Sequence, residues 1–373
     1  MPKGSELDNQ KVSESLSEQS EGDSKDGIET GENALSAHPI AMAVQKLAHR
    51  IDGIEFCANT YVRLSAKAYI ENDKKISKRI QESEALLGSD NPQEQIIGIK
   101  RSLDAQLRLI GLRNSRLFDT MVQGVFLTLF STFDVYIGEL LKSLYMLRPE
   151  LLNTLNKTLT VSELLQYASI DDVKTIVLQN EVESFKRKSY IEQFEELESR
   201  FSISLTKFKE WPEFIERAQR RNLFAHCDGI VSDQYINICK KQGYLFDQTV
   251  STGERLIITP SYFFSATRIV LKVAVMLGHA LWRKVVPDEM EYADKSLNDF
   301  IFELLQLRRW KKAQMIGEFA VGLPKVSNPI LKRLLVVNGF VARIGMKVCG
   351  CSEVVCFFCH EEAHLPHPQL ERV

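Results

Sequence analysis

Residues 126–147 read FLTLFSTFDVYIGELLKSLYML, and this stretch decides the fold. Phe130, Phe133, Ile137, Leu140 and Leu144 recur at alternating steps of three and four, the spacing that puts side chains on one helix face. Such a seam packs against other helices, so the aromatics read as core and not as a ligand platform. Pro149 sets the stop, because the residue before proline is pushed out of the helical region.

The same period runs outward in both directions. Leu47, Ile51, Ile54, Tyr61, Leu64 and Ala68 mark one long helix from 39 to about Leu87-Gly88. Asn91-Pro92 restarts the chain, and Ile96, Ile99, Leu103, Leu107 and Ile110 mark a second. The short turn between them predicts an antiparallel hairpin. Further on, Thr160 or Ser162 is placed to cap a helix, and Trp211-Pro212 opens another. Ser261–Val286 is strongly amphipathic, with His279 at the core edge. Segments 294–307, 309–322 and 327–346 complete the pattern. Trp310, Ala313 and Phe319 faintly resemble a tetratricopeptide helix pair, without its 34-residue repeat. Only 243–250 and 255–259, around Ser-Thr-Gly-Glu, suggest strands, as one small hairpin. The expected fold class is all-α.

Composition fits a globular chain: 373 residues, 44% hydrophobic, 26% charged. Residues 1–40 hold nine acidic residues and three lysines, a charge of −6, which leaves +4 on the remainder of a chain totalling −2. That excess tolerates a polyanionic partner without requiring one. Residues 1–36 are rich in Ser, Glu, Gly and Asp and read as a disordered acidic leader. No uninterrupted apolar run reaches the roughly 18 residues of a spanning helix, and no apolar signal core opens the chain. Seven cysteines are an odd number, and Cys57, Cys227 and Cys239 lie far apart, which fits a reducing compartment. The expectation is a cytoplasmic protein without a membrane.

The tail, 349–373, gathers Cys349, Cys351, Cys356, Cys359, His360, His364 and His367. Cys356, Cys359, His364 and His367 supply the donor types of a zinc site, but the separated second pair of ordinary zinc modules is missing. The competing reading is an unstructured end that holds no metal, and no cofactor is expected elsewhere.

Chemistry concentrates at 216–235, ERAQRRNLFAHCDGIVSDQY. Arg220, Arg221, Asn222 and His226 lie within seven residues, and Asp228-Gly229 closes the element as a turn. Histidine exchanges protons near neutral pH, and arginine grips phosphate with two parallel hydrogen bonds. Together they suit phosphodiester chemistry without a metal. A five-residue step rotates a side chain by about 140°, so Arg221 and His226 do not share a face of one straight helix. They converge if the helix ends between them, or if a second chain contributes.

The stretch resembles the HEPN superfamily of all-helical domains. Its signature is an arginine, four to six residues, then a histidine, often with a polar residue directly after the arginine. Here these are Arg221, Asn222 and His226. The resemblance covers about 120–286 and implies a HEPN-like helical bundle over 120–287. Around it stand a helical hairpin over 37–119 and C-terminal helices over 288–348. Many such domains are metal-independent ribonucleases that act as dimers. The resemblance therefore implies RNA as substrate, a homodimer with 221–226 near its two-fold axis, and Arg221, Asn222 and His226 as catalytic groups. Arg220 and Arg217 would add RNA contacts. Toxin–antitoxin pairing, with an antitoxin or other regulatory protein, and phage defence are family roles. Other HEPN relatives are catalytically silent binding or dimerisation modules, the alternative reading.

Overall fold

The computed structural model describes residues 38–155, 158–246 and 250–349. Its helices are α1 Pro39–Cys57, α2 Arg63–Leu87, α3 Pro92–Asn114, α4 Leu117–Leu147, α5 Val161–Leu164, α6 Ile170–Lys186 and α7 Tyr190–Phe201, followed by α8 Trp211–His226, α9 Asp233–Lys241, α10 Pro260–Val285, α11 Met290–Gln306, α12 Trp310–Val321 and α13 Pro329–Cys349. The class is all-α, consistent with a helical bundle. The expected acidic leader and the Cys/His tail lie outside the described residues, apart from Cys349 at the end of α13.

Helix α4 is the axis of the core. Phe126, Phe130, Phe133, Ile137, Leu140 and Leu144 are all buried, as their spacing predicts. Helix α1 lies along it, burying Ile40, Val44, Leu47 and Ile51. Helix α10 closes the layer: the Tyr136 hydroxyl donates to the Ala274 carbonyl at 2.6 Å. Gly278 permits that approach, since a Cβ there would stand 2.8 Å from the Tyr136 oxygen. One hydrophobic core runs from Ile40 to Ala342, so packing crosses the sequence divisions at 119 and 287.

A buried ionic cluster ties the ends of the chain together. Lys312 on α12 reaches Asp52 at 2.7 Å and Glu55 at 2.9 Å on α1. Thr267 on α10 donates to Glu55 at 2.5 Å. By length and mean hydropathy, though not as uninterrupted apolar runs, two segments reach the size of a spanning helix: 92–147, which takes in α3 and α4, and α10. The apolar window of α10 is 78% buried in this core.

The helix read over 39–87 passes through one π-helical segment, Ala58–Val62, between α1 and α2. Helices α2 and α3 form the expected hairpin, with the Asn91 side chain capping α3. The face that closes it differs from the face that reveals the period. Small residues Gly98, Ser102 and Ala105 are buried against α2, and a Cβ on Gly98 would sit 2.8 Å from the Ser83 carbonyl oxygen. Ile96, Ile99, Leu103, Leu107 and Ile110 face outward.

The expected small hairpin takes another form. Among the described residues the extended pairing is one antiparallel bridge, Ile230 with Arg255. Val231 donates to Glu254 at 2.8 Å and Leu256 to Gly229 at 3.0 Å. Residues 255–256 thus pair with the exit of α8, and not with the described residues of 243–250. Positions 247–249 lie outside the described residues.

Candidate functional site

Helix α8 carries every candidate of the central stretch. It opens at Trp211-Pro212 and runs unbroken to His226. Its end is built tightly. The Cys227 and Gly229 amides both donate to the Leu223 carbonyl, at 2.7 and 3.0 Å. Asp228 and Gly229 take positive φ, 50° and 78°. A Cβ on Gly229 would lie 2.6 Å from the Phe224 ring, so glycine is required there for space as well as for conformation. Asp228 is clamped between Arg116 at 2.7 Å and Arg255 at 2.8 Å.

Arg221 points toward α4. It donates to Asp134 at 2.9 Å and to the Asn222 amide oxygen at 3.0 Å, and its guanidinium lies 6.0 Å from the centre of the Tyr190 ring. The Tyr190 hydroxyl donates to the other Asp134 oxygen at 2.5 Å. Burial pushes the Asp134 carboxyl upward, outweighing Tyr190, Arg221 and Lys186, which favour its charge. Burial and the Asp134 charge hold the Tyr190 phenol well above its ordinary value. The result is a fixed, half-buried Asp134–Arg221–Asn222 chain with Tyr190 beneath it.

His226 is exposed at the last position of α8. Because the helix does not end before it, the rotation of about 140° from Arg221 holds, and one chain does not set both on a common face.

Arg217 and Arg220, read from sequence as RNA contacts, are interior instead. Both belong to a network around Glu216, which is fully buried. Glu216 accepts from Arg220 at 2.7 Å, from Tyr235 at 2.7 Å and from Tyr262 at 2.8 Å. Arg220 stacks over Tyr262 at 4.1 Å, and Arg217 lies 5.2 Å from the same ring. Arg217 also donates to the Glu213 carbonyl at 2.9 Å and to Ser265 at 3.0 Å. Burial opposes the Arg220 charge, but Tyr262, Glu216 and Tyr235 outweigh it and raise its pKa. These arginines hold α8, α9 and α10 together.

Asp134 and Tyr190 are the partners that sequence reasoning passed over. Asp134 left a signal, one of two carboxylates, with Glu139, inside the apolar run of α4. Tyr190 left none, since only the fold brings α7 to α8. Among the described residues no group of three or more His, Cys, Asp or Glu is placed to hold a metal. The zinc candidates Cys356, Cys359, His364 and His367 lie outside the described residues. Cys57 and Cys227 are exposed free thiols, and Cys239 is a buried one.

No protein-family model, curated protein or solved structure matches the chain.

Proposed function

We propose that the chain is a metal-independent endoribonuclease of HEPN type, acting at the end of α8. The observation that carries this reading is the contrast between two side chains on one helix. Arg221 is anchored by Asp134 and Asn222, while His226 stands exposed at the helix terminus. A fixed cation is suited to charge that builds on a phosphate in the transition state. An exposed imidazole is suited to proton transfer.

In the proposed reaction the ribose 2′-oxygen attacks phosphorus and loses its proton to a base. The P–O5′ bond breaks, and the 5′-oxygen takes a proton from an acid. The products are a 2′,3′-cyclic phosphate and a 5′-hydroxyl. His226 serves as acid or base, Arg221 steadies the phosphoryl charge, and Asn222 orients Arg221. A second copy opposite the end of α8 would present the His226 of one chain to the Arg221 of the other. Roles as a toxin under an antitoxin, or in phage defence in the cytoplasm, rest on the family resemblance alone.

A silent interaction module is the second reading. It is favoured by the Asp134–Arg221 pair, which neutralises the arginine that would meet phosphate. Incubation of purified protein with single-stranded RNA in EDTA, beside a His226→Ala control, separates the two. Cleavage lost in the variant supports the nuclease. An inactive wild type on a broad set of RNAs favours the silent module.

A further inference from the structure

Among the described residues the outward face of α3 has no partner. Ile96, Ile99, Leu103, Leu107 and Ile110 are each 56–65% exposed. Together they present on the order of 500 Å² of contiguous aliphatic surface, at the upper end of what a typical monomer leaves in one patch. The opposite face of α3 is committed to α2 through Gly98, Ser102 and Ala105, so rotating the helix does not hide the stripe.

The stripe has a second property. Its steps are three, four, four and three, a palindrome about Leu103. A two-fold axis through Leu103, perpendicular to α3, maps the stripe onto itself. Such an isologous contact places Ile96 opposite Ile110, Ile99 opposite Leu107, and Leu103 opposite its own copy. Arg108 is held by Asp104 of its own helix at 2.9 Å, and Arg113 by Asp73 at 3.0 Å.

We propose that a second copy of this chain packs antiparallel on α3, joining two α2–α3 hairpins into a four-helix layer about Leu103. With both stripes covered, the buried area is of the order of 1,000 Å², the lower bound for a specific interface. The axis lies about 20 Å along α3 from Arg116, the residue that clamps Asp228 beyond the end of α8. This contact is therefore separate from the one invoked for RNA cleavage, and the two fail independently.

Sedimentation equilibrium of the full chain at micromolar concentration tests the proposal. The wild type is expected to be at least a dimer, and Leu103→Glu with Leu107→Glu to halve its mass with helical circular dichroism unchanged. Ile99→Glu alone and Leu107→Lys alone should each halve the mass, and combining them should restore it, because the antiparallel register sets 99 against 107. RNA cleavage by the halved variant stays at the wild-type level if α3 is only an assembly surface. A monomeric wild type, an unchanged mass in Leu103→Glu/Leu107→Glu, or no rescue in the charge-swapped pair overturns the proposal.

Discussion

Asp134 and Arg221 meet at 2.9 Å across the interface of α4 and α8, in the middle of a seam that is otherwise apolar. The pair draws Tyr190 in from α7, so three helices converge on one carboxylate. Neither side chain is fully buried, and each keeps about a quarter of its surface in contact with solvent. The carboxylate is thus placed to fix the direction of the guanidinium at modest cost in stability.

Asp134→Asn tests that role. The amide keeps the size and can still accept from Tyr190, but it removes the charge that orients Arg221. Burial raises the Asp134 pKa, so ionisation in the fold carries a penalty that the substitution relieves. Against the loss of a partly exposed ion pair, the net change in stability should stay within about 1 kcal/mol. Chemical denaturation measures this directly, and a loss above about 3 kcal/mol would mark the pair as a structural strut.

Glu216 is the opposite case. It is fully buried and accepts from Arg220, Tyr235 and Tyr262 at once. Glu216→Gln leaves Arg220 buried without its counter-charge, while Arg217 keeps Glu213 at 3.2 Å. Breaking a buried pair from one side typically costs about 3–5 kcal/mol. Thermal and urea unfolding should show a loss in that range, whereas Tyr262→Phe should cost about 1–2 kcal/mol, as for one buried hydrogen bond.

His279 predicts a pH dependence. It is buried on α10 beside Trp282, with ring centroids 5.8 Å apart. Burial lowers its pKa from 6.5 to about 3, aided by Arg283 and His38 and opposed by Asp294. The folded state binds this proton less readily than the unfolded state. The stability contribution is therefore complete above pH 6.5 and is lost progressively as pH falls toward 3. Between pH 7 and pH 5 the loss should be about 2 kcal/mol, at roughly 1.4 kcal/mol per pH unit once the unfolded form is protonated. Denaturation at the two pH values measures it. A His279→Gln variant should show a flatter profile over that window, and an equal slope in both proteins would place the dependence on other groups.

Much of this architecture was legible from spacing alone. The α4 seam, its stop before Pro149, a helix cap at Thr160 or Ser162 and the opening of α8 at Trp211-Pro212 are local matters of period and turn chemistry; the structure carries them, with Thr160 as the cap. Periodicity identified α3 but not its direction, because a stripe of Ile and Leu looks the same whether it faces a neighbour or solvent. What turned α3 outward was the small-residue face at Gly98, Ser102 and Ala105, which packs closer to α2 than the aliphatic face would. The arginines misled for a related reason. Glu216 and Arg220 are four apart and visible as a pair, but the rings that enclose them, Tyr235 and Tyr262, arrive from α9 and α10.

The central residues of α8 allow the sharpest separation of chemistry from stability. His226 is exposed, so His226→Ala should change stability by no more than about 0.5 kcal/mol. Arg221→Ala leaves Asp134 half-buried with Tyr190 as its remaining anchor, and should cost about 1 kcal/mol. Asn222→Ala removes one acceptor for Arg221 and should cost less. On RNA in EDTA the order differs. Loss of general acid–base help is worth about 10²–10⁴-fold, and loss of charge stabilisation at the phosphate is of similar size. His226→Ala and Arg221→Ala should therefore both abolish cleavage, though only the second measurably lowers the melting temperature. Asn222→Ala should retain part of the activity, because Asp134 still holds Arg221. DNA of the same sequence should resist, since it lacks the 2′-hydroxyl. An active wild type with an equally active His226→Ala variant would place the chemistry away from α8. Activity that falls only in step with melting temperature would make these side chains structural.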